Sequence, residues 1–240
     1  MKAGPANEAA LRRNRLLSLL DAESLAALAP RLEFVPLPVL RPVYGEGKPM
    51  RHVVFPTEGV VSVLASVQAV GRRIEVGTIG REGMAGLSLF FGATHANGDT
   101  FMQVAGEGWQ MDAAPFLELA RGSPALTRVL HAYAQTFFIQ ISQALACNSS
   151  HSPEQRCARW LLMTRDRVSS DTFALRQQFL AEMLGERRVT VSRVASRLRD
   201  RGLIAYSRGL IEIRDRERLE QEACPCYGII RSQYETMLRD

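Results

Sequence analysis

At 240 residues, 46% hydrophobic and a formal net charge of +5, the chain is long enough for one large or two modest domains with real cores. It holds no apolar run of roughly eighteen residues and no charged-then-apolar leader, which argues against a membrane span and against secretion and makes the cytoplasm the expected location. Residues 154–218 hold 15 arginines against 9 acids, so the basic excess belongs to that part and the remainder sums to −1.

Residues 8–20 (EAALRRNRLLSLL) predict an amphipathic helix, and Asp21-Ala22-Glu23-Ser24 predicts the cap of a second one ending before Pro30. From Leu32 to about Met111 the texture changes to short β-rich runs cut by Gly and Pro: LEFVPLPVL, HVVFP, VVSVLASV, RRIEVGTIG, TFMQVA and GWQM. With no helical crossover between them, such runs predict a Greek-key or jelly-roll barrel, with a hairpin turn at Val70-Gly71 and a ligand site in the interior.

A short helix is expected near 114–121, and Ser123-Pro124 supplies the cap and first-position proline of a long one over 124–147, about 36 Å of rod. Along it Leu126, Leu130, Tyr133, Phe137, Ile141 and Ala144 recur at steps of 4, 3, 4, 4 and 3, close to a coiled-coil seam, so a homodimer through this helix is expected. Asn148-Ser149-Ser150-His151 is the hinge candidate, and Ser152-Pro153-Glu154 opens the next helix, which runs to about Val168.

The stretch from Arg176 to Arg201, RQQFLAEMLGERRVTVSRVASRLRDR, spells two short helices around Gly185. In the second, Val191, Val194, Ala195 and Leu198 form one apolar stripe, leaving Arg188, Ser192, Arg193, Arg197 and Arg199 to project outward. Residues 186–201 carry six arginines against Glu186 and Asp200, an excess that suits a helix laid in the DNA major groove and does not suit an ordinary mixed-sign surface. Gly202 stops the helix, 203–206 and 210–213 read as strands, and Ser207-Arg208-Gly209 turns between them, which completes a winged helix-turn-helix. Residues 215–223 and 228–238 read as a short and a terminal helix.

Cys147, Cys157, Cys224 and Cys226 do not make a disulfide framework, and Cys224-Pro225-Cys226 has neither the redox nor the usual zinc spacing, so neither metal nor cofactor is expected. Nor is there a Gly-x-Ser-x-Gly, a His-Glu-x-x-His or a complete phosphate loop, since Gly45-Glu46-Gly47-Lys48 runs into Pro49; an enzyme is not indicated.

The order RQQFLAEMLGERRVTVSRVASRLRDRGLI followed by a strand pair ending IEIRDRERLE resembles the C-terminal domain of the catabolite activator/FNR family of bacterial transcription regulators, and the preceding chain resembles their cyclic-nucleotide-binding-type domain. The resemblance implies an α+β protein: a sensor domain over 1–122 with a jelly-roll barrel, a dimerisation helix over 123–148, a winged helix-turn-helix over 149–218 and a helical tail over 219–240. It implies double-stranded DNA and RNA polymerase as partners, a homodimer on a two-fold symmetric site, and base or phosphate contacts from Arg188, Val189, Ser192 and Arg193; Arg187, Thr190 and Arg197 of the same arginine-rich stretch are the further candidate DNA contacts. At Val189 the family often has Glu; valine can touch a thymine methyl but cannot accept from cytosine, so the family's usual target is not carried over.

The family's ligand pocket would map onto Gly83, Ala85, Gly86, Leu87, Asp99 and Thr100. Gly86 stands where a ribose-binding carboxylate is expected, and Asp99 stands near the phosphate clamp, where it would repel the ligand. No Arg or Lys occurs between Glu82 and Gly106, which argues against cyclic AMP or GMP and leaves another small-molecule effector open. An iron–sulfur cluster fails because the first cysteine is Cys147. The competing expectation is a regulatory module whose basic face binds an acidic protein.

Overall fold

A computed structural model describes residues 7–67, 72–175 and 177–239. The expected first helix breaks into α1 (Glu8–Leu11) and a 3-10 turn at Leu17–Leu19. The cause is Asn14, whose buried side chain donates to the carbonyls of Pro56 (2.7 Å) and Gly83 (2.9 Å) and accepts from the Leu17 amide, tying the chain down where a helix would have continued. Helix α2 (Ala22–Leu28) starts at Asp21, which accepts from the Ser24 amide as the sequence predicts.

Strands β1 (Glu33–Leu37), β2 (Pro42–Tyr44), β3 (His52–Val67), β4 (Arg72–Ile79) and β5 (Thr100–Asp112) form one antiparallel sheet in the order β1-β5-β3-β4, with β2 also on β5. Two pairs of expected short strands are fused: HVVFP and VVSVLASV are both β3, TFMQVA and GWQM are both β5. Instead of ending at its glycines, β3 bends, with register shifts on either side of Glu58 and with Gly59 at φ +92°, while Gly106 of β5 packs so close to the Glu58 carbonyl that a Cβ would collide. Among the described residues the ladder does not close, so the jelly-roll expectation is realised as a bent, open sheet. The expected turn at Val70-Gly71 lies outside the described residues.

A one-turn helix α3 (Leu87–Phe90) follows β4, and α4 (Ala113–Gly122) leads to α5 (Pro124–Ser150), capped by Ser123, whose hydroxyl accepts from the Leu126 amide at 3.1 Å. Helix α5 absorbs most of the expected hinge and leaves only a helix break at His151 and Ser152, where a Ser152/Gln155 capping box starts α6 (Pro153–Arg165). The expected dimer seam needs correcting. Leu126, Leu130, Tyr133 and Ala144 are buried in their own protomer, and Phe137 and Ile141 are half-buried. Their helix lies on its own sheet: Tyr133 donates to the Met84 carbonyl (3.1 Å), Gln140 donates to the Thr78 carbonyl (2.9 Å), and the Phe137 ring abuts Gly77 of β4. The exposed large apolar side chains of α5 are instead Phe138 (65%) and Leu145 (75%).

The C-terminal part comprises β6 (Thr172–Ala174), α7 (Gln177–Leu184), α8 (Arg188–Asp200), β7 (Ile204–Ser207), β8 (Leu210–Ile213), α9 (Arg216–Glu222) and α10 (Cys226–Met237), with its small sheet ordered β6-β8-β7. Helix α10 returns to pack on α5, and one buried apolar cluster runs without interruption from Leu11 to Met237.

Glu75 of β4 sits where the two halves meet. It accepts from Ser62 (2.6 Å), from Gln103 (3.1 Å) and from the indole of Trp160 on α6 (2.8 Å). Burial pushes its carboxyl up to about 7, against the hydrogen bonds from Ser62 and Trp160, the charge of Arg159 and the Gln103 bond. The folded chain therefore holds this proton more tightly than the unfolded one. The associated stability is complete below the unfolded value of 4.5 and is lost as pH rises through about 7. Glu75→Gln is expected to remove that slope, on the order of 3 kcal/mol, in urea denaturation compared at acid and alkaline pH.

Candidate nucleic-acid interface

Gly185, at φ +63°, makes the tight turn between α7 and α8, a conformation that costs a side-chain-bearing residue more than it costs glycine. Val191, Val194, Ala195 and Leu198 are buried as the sequence predicts. Arg187, Arg188, Val189 (70% exposed), Arg193 and Arg197 face solvent, with Thr190 and Ser192 half-buried beside them.

The arginines divide by their partners. Arg197 pairs with Glu154 of α6, Arg199 with Asp200, and Arg201 with Glu222. Glu186, the acid nearest the start of α8, is taken up by Arg156, which is itself buried. No ion pair among the described residues engages Arg187, Arg188 or Arg193. Arg187 and Arg188 thus stand at the N-terminus of α8, where the helix dipole adds further positive potential, and Arg193 follows in its second turn; an anion lattice such as a phosphate backbone is the complementary surface.

Beside them, β7 and β8 form the wing, one residue later at its start than expected because Leu203 is held in the core with its amide on the Leu198 carbonyl. Arg208 (φ +52°) and Gly209 (φ +79°) are both left-handed, the geometry of a two-residue hairpin turn that matches strand twist. That turn presents Arg208 exposed at the wing tip, a basic side chain that its place in a turn does not by itself mark as functional. Strand β6, which pairs with β8, was also not anticipated; three residues are too short to show alternation.

In the sheet domain a cavity of about 350 Å³ is lined by Ala85, Gly86, Leu87 and Thr100 from the expected pocket, together with Met50 and Phe91. Two expected members are elsewhere. Gly83 packs against the Tyr133 ring, so closely that a Cβ would collide with it. Asp99 points out, accepting from the Glu46 amide (3.0 Å) and pairing with Arg73 (2.9 Å), which together hold its carboxyl below the usual range. The supposed repulsion by Asp99 therefore plays no part. What disfavours a phosphate is that no charged residue among those described lines the cavity. Gly86 has φ +96° and a Cβ there would lie 2.6 Å from the Tyr44 hydroxyl, so a ribose-binding carboxylate could not occupy this position without rearrangement.

Residues 155–222 match the model of the Crp-like helix-turn-helix domain. Similar solved structures include FixK2 of Bradyrhizobium japonicum (19% identity, TM-score 0.68, covering 80% of this chain and 98% of that one). They also include the c-di-GMP responsive global regulator CLP of Xanthomonas campestris (16%, 0.63, 80% and 99%). A third is TTHA1359, a transcriptional regulator of the CRP/FNR family from Thermus thermophilus (19%, 0.61, 80% and 98%). No curated protein sequence matches the chain. Residues 155–222 are therefore a Crp-like helix-turn-helix domain, borne by a chain with the fold of the Crp/Fnr-type DNA-binding transcription regulators.

Proposed function

We propose that the protein is a homodimeric, sequence-specific transcription regulator that acts in the cytoplasm and reads a two-fold symmetric duplex with α8. The observation that carries this reading is the trio Arg187, Arg188 and Arg193, exposed and without acidic partners among the described residues beside an arginine-tipped wing, while every other arginine of residues 186–201 is paired. RNA polymerase is the further partner of this reading. No helix among the described residues is long and apolar enough to cross a membrane.

The dimer contact proposed for α5 is the face that its own sheet leaves bare. Ala134, Phe138, Ile141 and Leu145 recur at steps of 4, 3 and 4, with Phe138 and Leu145 the most exposed. Phe138→Glu combined with Leu145→Glu is expected to leave a folded monomer in sedimentation experiments, because both side chains already lie in water in the single chain. Its affinity for a paired site should fall to that of a single half-site.

An effector for the cavity beside Gly86 would be a compact, largely apolar molecule, in keeping with a volume of about 350 Å³ and an uncharged lining. Selection of bound sequences from random duplexes by the purified protein tests the whole reading. Two half-sites one helical turn apart are expected, with affinity falling steeply as salt rises. Salt-dependent binding without sequence preference would favour an acidic protein as the partner instead.

A further inference from the structure

The fold gathers four side chains that the sequence scatters. Cys147 lies in the last turn of α5, His151 is that helix's C-cap, and Cys224 and Cys226 sit on either side of Pro225, where α9 gives way to α10. Their candidate ligand atoms all lie within 4.8 Å of one another, with Cys147 Sγ 3.3 Å from Cys224 Sγ and Cys226 Sγ 3.6 Å from His151 Nδ1. A tetrahedral zinc ion, with Zn–S near ~2.3 Å and Zn–N near ~2.0 Å, separates its ligand atoms by roughly 3.5–3.8 Å. Two of the cluster's separations, 3.3 and 3.6 Å, already lie near that spacing, and none exceeds 4.8 Å, so small side-chain shifts would close it around an ion. The three thiols are buried, and they form a small group of their own, apart from the main hydrophobic core.

Two neighbours suit a metal better than they suit inert thiols. Gln143 Nε2 donates to Cys226 Sγ at 3.1 Å, the kind of outer hydrogen bond that orients a ligating thiolate. Arg159 is buried, its Nε has no hydrogen-bond partner, and no ion pair among the described residues neutralises it, yet its charge reaches the Cys147 sulfur. Zinc held by three thiolates and one neutral imidazole carries a net charge of −1, which Arg159 would balance.

We propose that Cys147, His151, Cys224 and Cys226 form a closed zinc site that fastens the start of α10 to the end of α5, beside the helix break at His151 and Ser152. Binding joins one Zn²⁺ to three sulfurs and one imidazole nitrogen and releases the remaining thiol protons to solvent. Four protein ligands leave no open position, so the site is structural and does no chemistry of its own. Soft sulfur donors in a tetrahedral arrangement select zinc over the hard cations.

The test uses the full chain, purified under reducing conditions and supplied with zinc. About one zinc per chain is expected by elemental analysis, and cobalt in its place should show thiolate charge-transfer and tetrahedral d–d absorption. Cys226→Ser and Cys147→Ser should lose this spectrum, with circular dichroism confirming that they fold. In the unmodified protein, zinc should slow alkylation of Cys147, Cys224 and Cys226, and a chelator should restore it. Absence of the cobalt spectrum in the reduced wild-type chain, its survival in both variants, or a Cys147–Cys224 disulfide persisting in reduced, zinc-replete protein would each overturn the proposal.

Discussion

Arg188→Ala and Arg193→Ala are each expected to weaken binding to the selected duplex by about 1–3 kcal/mol, and together to reduce it to the salt-dependent background. Both guanidinium groups are exposed and engage no ion pair among the described residues, so neither must break one of those before it meets DNA. Arg197 must give up Glu154, and its removal should cost less. Titrations on matched and scrambled duplexes separate the two roles. A guanine contact appears as relaxed base choice at one position; a phosphate contact appears as uniform weakening and a salt slope flatter by about one. If neither substitution changes affinity, α8 is not the reading element.

Arg167→Ala is expected to destabilise the whole chain by about 3–5 kcal/mol in urea unfolding, because it leaves a buried carboxylate without its partner. Arg167 Nε donates to Glu82 (2.8 Å), Nη1 to the Met163 carbonyl (2.7 Å) and Nη2 to the Gln140 side chain (3.0 Å), with Arg167 and Glu82 both almost fully enclosed. The same guanidinium thus joins the loop after β4, the middle of α5 and the chain just past α6. Glu82→Gln added to Arg167→Met removes both charges at once, and this pair should recover much of the loss. Equal stability of Arg167→Ala and the wild type would mean that this junction opens in solution.

The signals in the sequence that survived folding are those set by local rules. Ser123-Pro124, the Ser152 cap, the stripe from Val191 to Leu198 and the Gly185 turn depend on neighbours a few residues away, and each stands where its spacing puts it. The α5 seam misled because periodicity says that a stripe is covered without saying by what. The steps through Leu126, Leu130 and Tyr133 are satisfied by the chain's own sheet, and the bare face is offset around Phe138. Gly59 and Gly106 read as strand ends, although in the fold they let long strands bend and approach. Asp99 and Gly83 were assigned to a pocket by position in a motif, and only the packing of Arg73 and Tyr133 shows that they face elsewhere. The meeting of Cys147 with Cys224 depends on α10 doubling back onto α5, which no local spacing encodes.

The uninterrupted apolar interior shared by both halves makes the reading head non-portable. Trp160, Phe179 and Met183 lean on Glu75, Phe101 and Ser62, so a fragment cut at His151 would carry a bald, oily flank into water. Such a fragment should be sticky and poorly soluble, and the intact chain should melt in a single step. A displacement of the sheet would pass directly to the C-terminal half, which already rests on it.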